Sequence, residues 1–137
     1  MQISFDQVLV TAGLKQTRAR QALLAIFAAE NRPLDVPEIL NLLKKQHVSV
    51  DQATVYRILE IFLQKRIIER FEFLEGKFRY ELSGIEHHHL ICETCGRIDD
   101  ISDCSISTLE KEILEKKGFT TKHHSLEFFG VCQTCLP

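Results

Sequence analysis

Residues 49–65, SVDQATVYRILEIFLQK, and residues 70–82, RFEFLEGKFRYEL, together decide the fold of the first half of the chain. In the first stretch Val55, Ile58, Leu59, Phe62 and Leu63 recur at i, i+3, i+4, i+7 and i+8, the apolar stripe of an amphipathic helix. Ser49 and Gln52 read as its N-terminal capping box. In the second stretch the spacing changes to strict alternation. Phe71 and Phe73 flank Glu72, while Phe78, Tyr80 and Leu82 alternate with Arg79 and Glu81. Between them Leu74-Glu75-Gly76-Lys77 supplies a turn with its glycine. A helix therefore runs into a two-stranded hairpin.

Two more helices precede this pair. Residues 17–29, TRARQALLAIFAA, carry Thr17 as N-cap and Leu23, Leu24, Ile26 and Phe27 on one side, and Asn31-Arg32-Pro33 ends the helix. A second begins at Asp35, with Pro37 in its first turn, Glu38 closing a capping box, and Ile39, Leu40, Leu42 and Leu43 as its stripe. Three helices and then a hairpin is the order of a winged helix-turn-helix, whose third helix enters the major groove of DNA. Its outward arc would present Gln52, Thr54, Tyr56, Arg57 and Gln64, with Glu60 as the one acid. Such groups reach phosphates and base edges, although any solvated helix face is built of similar residues. Lys15, Arg18 and Arg20 form a basic cluster before and on the first helix, suited either to a solvated helix start or to the DNA backbone.

Charge and composition divide the chain at the same place. The 137 residues fit one ordinary domain or two small ones. With 45% hydrophobic and 26% charged residues, disorder, collagen and fibrous coiled coil are excluded for the bulk of it. No apolar run is long enough to span a bilayer, and MQISFDQVLV lacks the basic start of a secretory signal, so a cytoplasmic chain without membrane contact is expected. The net charge of −2 argues against nucleic-acid binding only until the halves are separated. Residues 1–82 hold 12 Lys and Arg against 10 Asp and Glu, whereas residues 83–137 hold 5 against 9. All five cysteines and five of the six histidines lie in the second part. The expected domains are thus 1–82, without such ligands, and 83–137, rich in them.

Cys92-x-x-Cys95 and Cys132-x-x-Cys135 are separated by 36 residues. Each pair can fold as a knuckle that aims two sulfurs at one ion, and two knuckles give a closed four-thiolate site suited to structural Zn²⁺. Disulfides are disfavoured in a reducing compartment, and a thioredoxin-like redox role lacks its βαβ setting. The spacer reads as a strand over 97–101, a helix from Ser107, boxed with Glu110, to Lys117 with Gly118 beyond it, and a strand over 125–130. Cys104 is left over and receives no role. Just before the first knuckle stands Glu86-His87-His88-His89. In a strand His87 and His89 share one face, where Glu81 and Asp100 are candidates to complete a mixed nitrogen and oxygen site for Fe²⁺, Zn²⁺ or Mn²⁺. Glu86 and His88 share the other face and could hold a different ion with His124. A histidine run on a surface can also be inert.

Taken together, AGLKQTRAR, ATVYRIL, GKFRYEL, HHHLICETCG and GFTTKHHSLEFFGVCQTC resemble the ferric uptake regulator family of bacterial metal-responsive repressors over essentially the whole chain. The resemblance implies an α+β chain: a winged-helix DNA-binding domain followed by a small α/β dimerisation domain with a four-cysteine zinc site. It also implies a homodimer that binds double-stranded, inverted-repeat operator DNA when loaded with metal. It assigns Cys92, Cys95, Cys132 and Cys135 to structural zinc and Glu81, His87, His89 and Asp100 to the regulatory ion. Lys15, Tyr56 and Arg57 fall on its DNA-contacting positions. Glu86, His88 and His124 match its further metal site, whose helix carboxylate falls here on Ser107. A histidine ligand of the regulatory ion is replaced by Pro33, which cannot ligate and which weakens a peroxide-sensing reading.

The expected function is a metal-dependent transcriptional repressor of the iron-sensing type, with zinc-, manganese- or peroxide-sensing members as alternatives. A zinc enzyme would need an open metal position and a general base beside His87 and His89, and no obvious base stands there. The chain is therefore expected not to be an enzyme. A metal-storage module is the remaining competitor, and DNA binding separates it from a repressor.

Overall fold

The computed structural model describes residues 4–84, 86–102 and 105–137, so Cys104 lies outside the described residues. The chain divides into two compact units, Met1–Gly84 and Ile85–Pro137.

The first unit runs α1 (Phe5–Thr11), α2 (Arg18–Glu30), α3 (Val36–Lys45), α4 (Gln52–Gln64), β1 (Ile68–Glu72) and β2 (Phe78–Leu82). Helix α1 adds to the three helices expected. Its seven residues are too short for a clear periodic signal, yet Ser4 caps it and Leu9 is fully buried. The caps of α2 and α3 follow expectation: Thr17 accepts from the Arg20 amide, and Asp35 and Glu38 form a complete capping box. The cap of α4 differs. Asp51, not Ser49, occupies the extended Ncap position and accepts from the Thr54 N–H at 2.7 Å. A charged oxygen at the positive end of the helix dipole outcompetes a hydroxyl two residues earlier.

Leu9, Leu23, Ile26, Phe27, Leu34, Ile39, Leu43, Val55, Leu59 and Phe62 pack as one core, closed by Ile68 and Tyr80 from the hairpin. Each such side chain contributes about 1.5–3 kcal/mol by leaving water. Strands β1 and β2 pair antiparallel from Ile68↔Leu82 to Glu72↔Phe78, and Leu34 adds a bridge to Tyr80. One expectation is corrected on β2, where Phe78 is half-exposed while Arg79 and Glu81 are buried with Tyr80. The reason lies in pairing. Phe78 is covered by the Arg70 guanidinium at 4.3 Å, and Arg79 is neutralised by Glu75 and Glu38.

The second unit holds β3 (His88–Cys92), β4 (Ile98–Ile101), α5 (Ile106–Lys117) and β5 (Glu127–Gly130) in a three-stranded sheet of order β4-β3-β5. β3 is antiparallel to β4 and parallel to β5, so α5 carries the chain across the central strand. Helix α5 begins before Ser107, and Ser105 at its Ncap makes no side-chain bond. The expected Ser107–Glu110 box is therefore absent, and the Glu110 carboxylate is engaged by His124 instead. At the other end Gly118 is left-handed at φ 61°, as a helix stop of this kind requires.

Candidate metal centres and nucleic-acid surface

The parallel pairing of β3 and β5 explains how two distant CxxC motifs meet. Cys92, the last residue of β3, lies opposite Gly130, the last residue of β5. The first knuckle turns directly out of β3 and the second begins two residues beyond β5. Gly96, at φ 77°, lets the first knuckle close with its amide on the Cys92 carbonyl at 2.9 Å. The amides of Cys135 and Leu136 close the second on the Cys132 carbonyl.

All four sulfurs lie within 4.8 Å of one another, and those of Cys95 and Cys132 are 3.8 Å apart. A disulfide needs about 2.0 Å, whereas sulfurs at about 2.3 Å from a tetrahedral ion are about 3.8 Å apart. The four cysteines are free thiols, and the Cys95–Cys132 separation is that of two ligands of one tetrahedral zinc. The thiols already differ in acidity. Cys92 is pulled down to about 6, chiefly because the amides of Cys132 and Cys95 donate to its sulfur. Cys135 is pushed up to about 12 by its hydrogen bonds with Cys132 and Cys95. Four crowded sulfurs cannot all ionise without a cation between them.

The histidine run separates onto two faces as strand geometry demands. The rings of His87 and His89 meet edge to face with centroids 4.8 Å apart. His89 is 1% exposed, pairs across the sheet with Asp100, and brings Nε2 to 4.0 Å from its carboxylate. Ligand atoms of His87, His89 and Asp100 fall within 4.8 Å of one another. Glu81 belongs to the first unit, where it is buried on β2. Pro33, where the resemblance implies an imidazole, is buried, and its carbonyl faces the Arg79 guanidinium at 3.5 Å.

On the other face His88 lies beside His124, with ring centroids 5.1 Å apart. Glu86 approaches His124 Nε2 to 2.6 Å, and ligand atoms of Glu86, His88 and His124 again lie within 4.8 Å of one another. Glu110 reaches His124 Nδ1 at 3.0 Å. This bond takes the place of the helix cap expected of Glu110. The available signal was its place one turn after Ser107, on the same face of α5.

In the first unit Gln52, Tyr56 and Arg57 are exposed on α4, with Thr54 half-buried beside them. Tyr56 retains 43% of its surface. Lys15 is exposed just before α2. Arg18 and Arg20 also have structural partners: Arg18 donates to the His47 carbonyl at 3.3 Å, and Arg20 to the Lys15 carbonyl at 3.1 Å. The first bond ties α2 to the turn between α3 and α4, and the second fixes the backbone that presents Lys15.

A winged-helix unit and a unit with thiolate and imidazole clusters in one chain define a metal-responsive DNA-binding regulator. The comparisons agree. Residues 11–129 match the model of the Ferric uptake regulator family. Over 122 residues the chain is 36% identical to the Ferric uptake regulation protein of Cupriavidus metallidurans, covering 88% of this chain and 85% of that one. The solved Vibrio cholerae ferric uptake regulator superposes with a TM-score of 0.81 at 35% identity, covering 93% of this chain and 98% of that one. The ferric uptake regulator of Francisella tularensis, solved with iron, gives 0.79 at 32% identity over 90% and 95%. The chain belongs to the ferric uptake regulator family and is a metal-responsive transcriptional regulator. Regulators of this family bind DNA as dimers and are transcription factors rather than enzymes. Among the described residues no helix is long and apolar enough to cross a membrane.

Proposed function

We propose that the protein is an iron-type repressor that binds an inverted-repeat operator as a homodimer when its regulatory site is loaded. The observation that carries this reading is the convergence, in the second unit, of His87 just before β3 and His89 on it with Asp100 on the neighbouring strand β4. A divalent ion supplies a charge centre that several anionic and imidazole ligands can share. Glu81, on β2 of the first unit, is also assigned as a ligand of this ion. Cys92, Cys95, Cys132 and Cys135 hold structural Zn²⁺, and the clustering of their sulfurs within 4.8 Å of one another, with Cys95 and Cys132 3.8 Å apart, supports that assignment. Glu86, His88 and His124 form an additional site. Gln52, Thr54, Tyr56 and Arg57 on α4 read the major groove, with Lys15, Arg18 and Arg20 on the backbone side.

Dimerisation is supported by the surface of the second unit. Leu109 and Leu114 on α5 and Phe128 on β5 are about half-exposed, and α5 has no buried residue. A second copy removes this apolar surface from water. The favoured metal is Fe²⁺, on the likeness to the Francisella tularensis protein solved with iron.

Anaerobic titration of Fe²⁺, Mn²⁺ and Zn²⁺ into the protein with a labelled operator tests the proposal. Fe²⁺ should tighten binding at lower free concentration than Mn²⁺, with Zn²⁺, which nitrogen and oxygen ligands hold more tightly in general, as the reference. Operator binding that is indifferent to every metal overturns it.

A further inference from the structure

His124 is flanked by carboxylates on both edges of its ring. Nε2 lies 2.6 Å from Glu86 and Nδ1 lies 3.0 Å from Glu110. The two carboxylates are not equivalent. Glu86 belongs to the cluster whose ligand atoms, with those of His88 and His124, fall within 4.8 Å of one another, and Glu110 does not. Glu86 therefore stands on the side of the ring where His88 also stands, and Glu110 stands behind it. A cavity of about 160 Å³ opens here between Glu86, His88, Ser107, Glu110 and His124.

We propose that His124 ligates through Nε2, that Glu86 and His88 are the other protein ligands, and that Glu110 is a positioning residue on Nδ1–H. This rests on the reading of Glu86, His88 and His124 as a metal site, and goes beyond it by giving Glu110 a role distinct from theirs. The resemblance implies a helix carboxylate as ligand, at the position now held by Ser107. In this chain the acid has moved one turn along α5. It stays on the same face but reaches the far nitrogen of the imidazole. The site becomes a two-imidazole, one-carboxylate set with open positions for water, a donor set that suits Fe²⁺ or Zn²⁺.

A neutral imidazole has one N–H and one lone pair, and the hydrogen bond at one nitrogen decides which edge can ligate. In the metal-free ring both edges face a carboxylate, Nε2 sharing its proton with Glu86 and Nδ1 with Glu110. When an ion displaces the proton at Nε2, Glu110 keeps the remaining N–H on Nδ1 and leaves the Nε2 lone pair for the metal. It also limits ring rotation and makes the imidazole a better donor. Partners of this kind are worth roughly 10–100-fold in metal affinity.

The test uses the full-length protein with its thiolate zinc in place and Zn²⁺ as the added ion. Long-range proton–nitrogen NMR of ¹⁵N-labelled protein reads the two nitrogens of His124, identified by the signal lost in His124→Gln. A metal-bound Nε2 with a protonated Nδ1 is expected. Competition with a chromophoric chelator should give roughly 10–100-fold weaker zinc binding in Glu110→Ala. Glu110→Gln, whose amide oxygen still accepts from Nδ1–H, should recover part of that loss. Glu86→Ala should abolish binding at this site. A metal-bound Nδ1, or a Glu110→Ala protein that loses zinc as completely as Glu86→Ala, makes Glu110 a ligand and overturns the proposal. Unaltered affinity in Glu110→Ala overturns it as well. If instead Glu86→Ala and His88→Ala both leave the zinc stoichiometry unchanged, the underlying site fails and the proposal falls with it.

Discussion

Arg79 and Glu75 are joined across the wing by two parallel bonds, Nε to Oε2 at 2.9 Å and Nη2 to Oε1 at 3.0 Å. The Arg79 side chain is only 10% exposed, and its remaining nitrogen reaches Glu38 at 3.3 Å. The pair thus fastens the hairpin to the start of α3. Arg79→Ala leaves Glu75 without its guanidinium, while Glu38 keeps Arg32 and the Asp35 amide, and should destabilise the first unit by about 1–3 kcal/mol. Arg79→Lys should recover little, because an ammonium cannot make the paired bonds of a guanidinium. Urea denaturation followed by far-UV circular dichroism measures both. A midpoint shared by all three proteins refutes the lock.

The same network makes stability depend on acid. Asp35 would be raised by its burial, but hydrogen bonds from Lys77 and the Glu38 amide outweigh this and hold it below its ordinary 3.8. Glu75 is held below its ordinary 4.5 chiefly by its hydrogen bonds with Arg79. A depressed carboxyl stabilises the folded state above its unfolded value, and the contribution is lost as pH falls through the folded one. Wild-type stability should therefore decline below about pH 4.5. In Asp35→Asn/Glu75→Gln the decline should be shallower, since Asn still caps α3 but neither group titrates. Denaturation midpoints from pH 6 to 3 supply the comparison, and parallel curves contradict it.

The thiolate cluster predicts a different kind of failure. Structural zinc contributes roughly 10–16 kcal/mol of apparent binding energy, against a net stability of roughly 5–15 kcal/mol for a small domain. Cys95→Ser should lose zinc, unfold the second unit and abolish dimerisation. Zinc content and sedimentation velocity decide the matter. A dimer with an unchanged melting curve would show that these sulfurs hold nothing structural.

On the DNA side, Arg57 on α4 and Lys15 before α2 should separate by salt dependence. Arg57→Ala is expected to weaken the operator selectively by about 1–3 kcal/mol if it reads a base edge. Lys15→Ala should weaken all sequences and lower the salt slope by about one unit if it meets a phosphate. Fluorescence anisotropy across a salt series reads both effects. Unchanged operator affinity in the two variants removes the winged-helix interface as assigned.

The elements set by local patterns were legible in the sequence, and those set by tertiary partners were not. The stripe from Val55 to Leu63 and the two CxxC knuckles carry their own signals, and both stand where the spacing puts them. Asp51 won the cap of α4 from Ser49 within the same few residues, where either choice satisfied the pattern. On β2 alternation failed because Arg79 finds its acids on α3 and in the turn, which no periodicity records. Glu110 escapes the pattern for the same reason: its partner, His124, lies fourteen residues on, past the C-terminal end of α5.

The regulatory site sets the last expectation. His87 and His89 meet at 4.8 Å with Asp100 across the sheet, and Glu81 lies in the wing itself. Under the proposed reading, in which the ion takes ligands from both units, loading would favour one arrangement of the recognition helices, and operator half-sites at fixed spacing would select the dimer that matches. Metal and DNA then bind with a shared coupling energy, so operator must tighten metal binding by the factor with which metal tightens operator binding. Typical couplings are about 1–3 kcal/mol, or roughly 5–150-fold. With Pro33 in place of an imidazole, the value should fall near the lower end. His87→Ala, at a half-buried position, should retain the fold, the thiolate zinc and the dimer while losing metal-stimulated binding. His89→Ala should lose the same response, and because His89 is buried its zinc content and dimer mass are checked alongside. Metal titrations with and without operator measure the coupling from both directions. Equal operator affinity with and without metal in the wild type would sink this mechanism, and so would a His87→Ala protein that responds in full.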